Sequence, residues 1–114
     1  MKLIINEIPP TINKYIGRDN RWQYQADKKK YHKAVLEAIK KVPYEQYNKC
    51  EMTIIFYFKD RRKHDPCNYS KFLLDGLVEA GVIKDDCFQC IEKYSEIGAY
   101  DKENPRVEVF ILER

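Results

Sequence analysis

The sequence predicts a small α+β domain of order β-α-β-α-β-β, a mixed sheet carrying two helices on one face. Three observations lead there. Runs rich in β-branched and aromatic residues recur at 2–8, 52–58 and 106–112, where strands are expected. Apolar residues at helical spacing occupy 23–41 and 65–80. No repeat, low-complexity tract or long linker divides the 114 residues, so 1–114 is expected to be one domain.

The first strand, Lys2-Leu3-Ile4-Ile5-Asn6-Glu7-Ile8, is closed by Pro9-Pro10, which cannot donate to a ladder. Residues 11–20 lack a period and hold Gly17, as a loop does. The first helix buries Ala34, Val35, Ala38 and Ile39, and Pro43 stops it. Met52-Thr53-Ile54-Ile55-Phe56-Tyr57-Phe58 reads as a buried strand. Asp65-Pro66 starts the second helix, with Asp65 as its cap and Pro66 at its first position. That helix buries Phe72, Leu73 and Leu77 and ends at Gly81. A weaker strand follows at 90–97, and a firm one at 106–112.

The composition, 44% hydrophobic and 34% charged, belongs to a folded chain rather than a disordered one. A net charge of +3 permits a nucleic-acid partner without requiring one, so the placement of charge matters more than its sum. No apolar run approaches the roughly 18 residues of a membrane span, and the N-terminus lacks a signal-peptide pattern. A cytoplasmic protein with no membrane partner is expected, and Cys50, Cys67, Cys87 and Cys90 should then be reduced thiols.

The chemistry concentrates in Arg61-Arg62-Lys63-His64-Asp65-Pro66-Cys67-Asn68-Tyr69-Ser70-Lys71. Basic residues leave a strand just before a helix N-terminus, a place suited to phosphate. Asp65, Asn68, Lys71 and Asp75 are spaced to share one helix face, and Asp85-Asp86 follows the helix by a short turn that can return towards Asp65. Carboxylates gathered this way need a cation to balance them, and magnesium is content with two or three plus substrate phosphate. The plainer readings are a surface ion pair for Lys71–Asp75, a solvated loop for the basic run and a polar turn for Asp85-Asp86.

Lys28-Lys29-Lys30, with Lys33, Lys40 and Lys41, makes the first helix basic, as a solvated face or as a surface for DNA phosphates. Trp22, Tyr24, Tyr15 and Tyr31 are expected mainly in core or interface, with stacking at DNA as the alternative. Cys87-Phe88-Gln89-Cys90 has the spacing of half a zinc site. A second such pair is missing, and in a strand a separation of three would send the two thiols to opposite faces. A Cys67–Cys87 disulfide on oxidation is a further geometric question.

Taken together, these residues resemble the RusA-type Holliday junction resolvases, small endonucleases of bacteria and their phages. The family pattern is a basic run, Asp-x-Asp-Asn-x-x-Lys, a helix with a further Asp, and an Asp-Asp pair. Here it is met by Asp65-Pro66-Cys67-Asn68-Tyr69-Ser70-Lys71, Asp75-Gly76-Leu77, Gly81-Val82-Ile83 and Asp85-Asp86. Pro9-Pro10-Thr11-Ile12-Asn13-Lys14-Tyr15 is similar to the family's opening, with the tyrosine one place early.

The resemblance implies a homodimer that binds four-way junction DNA and nicks two strands symmetrically with Mg2+, Mn2+ being a substitute, and with no small-molecule cofactor. It implies that Asp65 and Asp86 are catalytic metal ligands, with Asp85 the alternative within its pair. Lys71 corresponds to the family's functional lysine, and Asp75 and Asn68 to supporting residues. The DNA-binding set would be Arg61, Arg62, Lys63, Lys28, Lys29 and Lys30. One departure matters: Cys67 stands where the family has its second aspartate. A thiolate is a soft ligand, poorly suited to magnesium. The site then works with fewer carboxylates by recruiting Asp75 or the other acid of the pair, or binds junctions without cutting them, or carries a change peculiar to this chain.

Overall fold

The computed structural model describes residues 1–15 and 21–114. The expected loop at 11–20 is described only in part: Ile12–Tyr15 form a 3-10 turn, and 16–20, with Gly17, lie outside the described residues. The remaining elements are β1 (Lys2–Ile5), α1 (Arg21–Ile39), β2 (Cys50–Phe58), a 3-10 turn (Pro66–Asn68), α2 (Ser70–Glu79), β3 (Ile91–Tyr100) and β4 (Arg106–Glu113).

The four strands form one sheet in the order β1-β4-β2-β3. β2 runs parallel to β3 and antiparallel to β4, and β4 is antiparallel to β1, so β1 and β2 point the same way. Each of the two parallel steps, β1 to β2 and β2 to β3, therefore needs a crossover, and a helix supplies it. Both steps move in one direction along the sheet. With the usual right-handed crossover, both helices fall on the same face. β4 then returns antiparallel and fills the gap between β1 and β2. The domain is α+β, with the mixed sheet and element order the sequence predicts.

Alternation along β2 separates the faces: Cys50, Met52, Ile54, Phe56 and Phe58 are buried under the helices, and the residues between them are half-buried. Leu3, Ile5, Val107, Val109 and Ile111 extend this layer, and Val35, Ile39, Phe72, Leu73 and Leu77 pack onto it. Each such side chain contributes roughly 1.5–3 kcal/mol by burial. Tyr31 joins the α1 stripe, 2% exposed with its hydroxyl donating to the Glu7 carbonyl at 3.1 Å, whereas Ala34 is only half-buried. Tyr15 and Tyr24 stack edge-on at 5.1 Å and both meet Phe72, so these tyrosines serve the core.

Four local expectations change. β1 stops at Ile5 rather than residue 8, because Asn6 and Glu7 bend away before the prolines. α1 begins and ends two residues earlier than 23–41. β3 runs on to Tyr100, paired along its length with β2. The expected helix 65–80 is broken: three residues of 3-10 helix are followed, after Tyr69, by α2. Gly81, with φ of 80°, ends α2 in the left-handed region where glycine is favoured.

Candidate active site

The break at Tyr69 shapes the site. The Tyr69 ring lies 5.1 Å from Phe58 and 6.0 Å from Phe56, and its hydroxyl is 3.0 Å from His64 Nδ1. His64 stacks flat on Phe58 at 4.2 Å, and its Nε2–H donates to Asp60 Oδ1 at 2.7 Å. The same Asp60 oxygen accepts the Arg62 backbone N–H at 3.1 Å. These hydrogen bonds, His64 first, hold the Asp60 carboxyl below its ordinary range. Burial, then the nearby Asp60 and Asp65 charges, push the Tyr69 hydroxyl up. The segment after β2 is thus clamped to the end of the sheet. Pro66 adds to the clamp by lying against Gly98 of β3, where a Cβ would sit 3.3 Å from its ring.

That clamp revises two expectations about Asp65. Its side chain makes no capping hydrogen bond; the residue is extended, with φ −101° and ψ 105°, and its carboxylate is exposed. Nor do Asp65, Asn68, Lys71 and Asp75 share one continuous helix face, because Asp65 precedes the 3-10 turn, Asn68 ends it, and only Lys71 and Asp75 lie in α2. Within α2, Lys71 and Asp75 do form the plain i,i+4 ion pair, at 3.4 Å. Cys67 is exposed, with Asn68 Oδ1 3.9 Å from its Sγ.

Downstream of α2, Asp85 and Asp86 are exposed, and the Asp86 backbone N–H donates to Asp85 Oδ1 at 2.8 Å. They turn back alongside α2. Asp75, Asp85 and Asp86 line one open cleft of about 250 Å³, together with Glu79 and with Lys28 and His32 of α1. Asp65 is not among its walls. His32 Nδ1 is 2.6 Å from Glu79 Oε2, while its buried Nε2 has no hydrogen-bond partner. Of the three consecutive lysines only Lys28 faces this cleft; Lys29 and Lys30 line neighbouring hollows, as a helix turning about 100° per residue requires. Arg61 lies 4.4 Å over the Tyr100 ring, and Arg62 and Lys63 are exposed.

The cleft presents hard oxygen donors from two elements. Among the described residues no three His, Cys, Asp or Glu side chains converge closely enough to enclose a metal ion by themselves. A closed structural zinc site, which takes four such ligands, is therefore not found among the described residues. Cys87 and Cys90 are likewise not on opposite faces of a strand. They end a turn in which Cys87 O accepts from Cys90 N at 3.0 Å, and their sulfurs are 3.7 Å apart. All four cysteines are free thiols, and Cys87 has Cys90, not Cys67, as its neighbour.

Several residues of interest escape a reading by motif. Phe88, at the tip of that turn and next to the acids, is 79% exposed; Trp22, expected mainly in core or interface, is not in the core but 82% exposed near the start of α1. A lone aromatic between two cysteines was the only available signal for Phe88. Asp60, His32 and Glu79 gave none, since each acts through a partner distant in space or hidden in a charged run.

The fold is thus an α+β domain with an aspartate-lined cleft beside a basic helix. A profile of the endodeoxyribonuclease RusA family matches residues 7–112, nearly the whole chain, and the protein belongs to that family. The family comprises metal-dependent nucleases acting on junction DNA. No curated protein matches the chain in a whole-sequence comparison. No helix among the described residues is long and apolar enough to cross a membrane.

Proposed function

We propose that this chain is a Mg2+-dependent Holliday junction resolvase that acts as a cytoplasmic homodimer and makes paired, symmetric nicks. The observation that carries the reading is the cleft in which α2 and the following turn bring Asp75, Asp85 and Asp86 together beside Lys28. In this reading Asp86, with Asp85 as its alternate, holds the cation in the cleft and Asp75 supplies the carboxylate that Cys67 does not, while Asp65, outside the cleft walls, would reach it through a water or the substrate phosphate. When bound, the cation would polarise the phosphate and lower the pKa of its water.

The chain's own groups do the rest. Lys71, 52% exposed and paired with Asp75, can follow charge developing on the phosphate. Arg62 and Lys63 extend from the clamped segment towards solvent, and Arg61 keeps its guanidinium on Tyr100. With Lys28, Lys29 and Lys30 they offer cations to the DNA backbone, which sets affinity and position rather than sequence. Phe88 and Trp22 are rings free to stack on bases exposed at a junction.

The homodimer reading is supported by the uncovered sheet face. Ile4, Ile97, Phe110 and Leu112 are 42%, 45%, 36% and 64% exposed there, opposite the helices. A second copy seated on that face would bury it and give two cutting sites, as a junction of two-fold symmetry needs.

Cys67, exposed at the site in place of an acid, favours a second reading: a protein that binds junctions but cuts them slowly or not at all. A labelled mobile four-way junction, incubated with Mg2+ or Mn2+, separates the two. We expect nicks that fall about 100-fold or more in Asp65→Asn and Asp86→Asn while junction binding persists. Tight binding with no nicks from the parent in either metal would instead establish the binding module.

A further inference from the structure

Cys87 and Cys90 take no part in the function proposed above, yet they close the turn that follows the acidic pair. Their sulfurs are 3.7 Å apart, and Cys87 is half-buried at the surface while Cys90 is 7% exposed. Cys90 is anchored: its carbonyl accepts the Cys50 N–H at 2.8 Å where β2 and β3 begin, and Ile91 N–H donates back to Cys87 O at 2.9 Å. Cys87 is the next residue after Asp86, whose own backbone N–H is held by Asp85. The pair therefore joins a fixed strand start to the exposed acids.

We propose that Cys87 and Cys90 form a reversible intrachain disulfide that switches the acid cleft off. The inference rests on the resolvase reading for its functional consequence, though not for the bond itself. The oxidant is a hydroperoxide, which reaches the more exposed thiol. The Cys87 thiolate attacks the peroxide, its O–O bond breaks, and Cys87 becomes a sulfenic acid with release of hydroxide. The Cys90 thiol attacks that sulfur; the S–S bond forms, the S–O bond breaks, and the leaving hydroxyl takes the Cys90 proton to become water, while the hydroxide released first takes the proton that Cys87 gave up. Two thiols and one peroxide give one disulfide and two waters. A dithiol reductant reverses the change by supplying two electrons and two protons.

Closing the sulfur gap from 3.7 Å to about 2.05 Å moves the sulfurs together by about 1.7 Å. Rotation of the two side chains supplies most of that approach, and because Cys90 is tied to the sheet the new bond fixes Cys87, and with it the chain at Asp86, against the start of β3, so the acids lose the freedom to settle around a cation. Misplacing a catalytic group by about 1 Å costs on the order of 100-fold.

The test treats reduced protein with hydrogen peroxide and reads four quantities: free thiols, intact mass, Mn2+ affinity by calorimetry, and junction nicking. The expected result is two thiols lost of four, a mass lower by about 2 Da, a Cys87–Cys90 linked peptide, and Mn2+ binding weaker by about tenfold or more. Nicking should fall about 100-fold and return with dithiothreitol. Cys87→Ser should keep its nicking and its Mn2+ affinity through the same treatment. Four thiols after oxidation, or a linked pair with Mn2+ affinity unchanged, would overturn the proposal. If the reduced protein nicks no junction, the resolvase reading fails on its own, and thiol count, mass and Mn2+ affinity still decide the switch.

Discussion

Cys67 is exposed on the 3-10 turn, one residue beyond Pro66 and next to Asn68. An aspartate there would add a negative charge and a hard oxygen ligand at once, and a thiol offers neither to magnesium. The substitution Cys67→Asp should therefore raise Mg2+-dependent nicking by about tenfold, or about 1.4 kcal/mol of transition-state stabilisation. Single-turnover rates of parent and variant on one junction check this; an unchanged or lower rate would mean that Asp75, Asp85 and Asp86 already complete the site. The candidate acids and Lys71 were visible in the sequence because their spacing is local. What spacing could not reveal was company: Asp75 meets Asp85 and Asp86 across a turn, and Lys28 joins them from another helix. Nor could it show that Asp60 organises His64 and the Arg62 N–H, since an acid ahead of a basic run looks like any solvated residue.

At the scale of elements, β2 and β4 were legible because β-branched and aromatic residues crowd them and β2 alternates cleanly. The break at Tyr69 was not. Asp65-Pro66 and the apolar spacing both signal one helix, and the interruption comes from tertiary contacts of Tyr69 with Phe58 and His64. The two helices also meet through a residue whose identity looks unfavourable. Gly76 lies inside α2, where alanine would add about 1 kcal/mol of helix stability. A Cβ at that position would sit 3.1 Å from Val35 Cγ2 and 3.3 Å from His32 Cδ2. Val35 is fully buried and β-branched, and so has little freedom to yield. Gly76→Ala should therefore destabilise the domain by about 1 kcal/mol net, with overpacking outweighing propensity. Urea unfolding at unchanged m-value is the measurement, and a rise in midpoint would show that α1 can move aside.

For the whole molecule, the two crossovers leave one sheet face covered and the other open. The open face is not uniformly apolar. Arg106 lies 3.9 Å over the Tyr57 ring and pairs with Glu108 at 2.8 Å, while Lys2 reaches the same Glu108 at 3.7 Å. Glu108 is in register with Ile4 and Ile55, and Lys2 with Phe110, so a partner copy would meet apolar side chains interleaved with paired charges. Alternation in the first half of 106–112 made only part of that face readable, whereas what covers it is a property of the assembly. The central claim, a two-site resolvase, is tested most directly on a supercoiled plasmid that extrudes a cruciform. Two nicks made within the lifetime of one complex give linear DNA, whereas a single nick relaxes the plasmid and removes the junction. With Mg2+, linear product should appear from the start of the reaction and vanish in Asp65→Asn. Nicked circles alone, or no cutting in Mg2+ or Mn2+, would contradict a paired, symmetric resolvase.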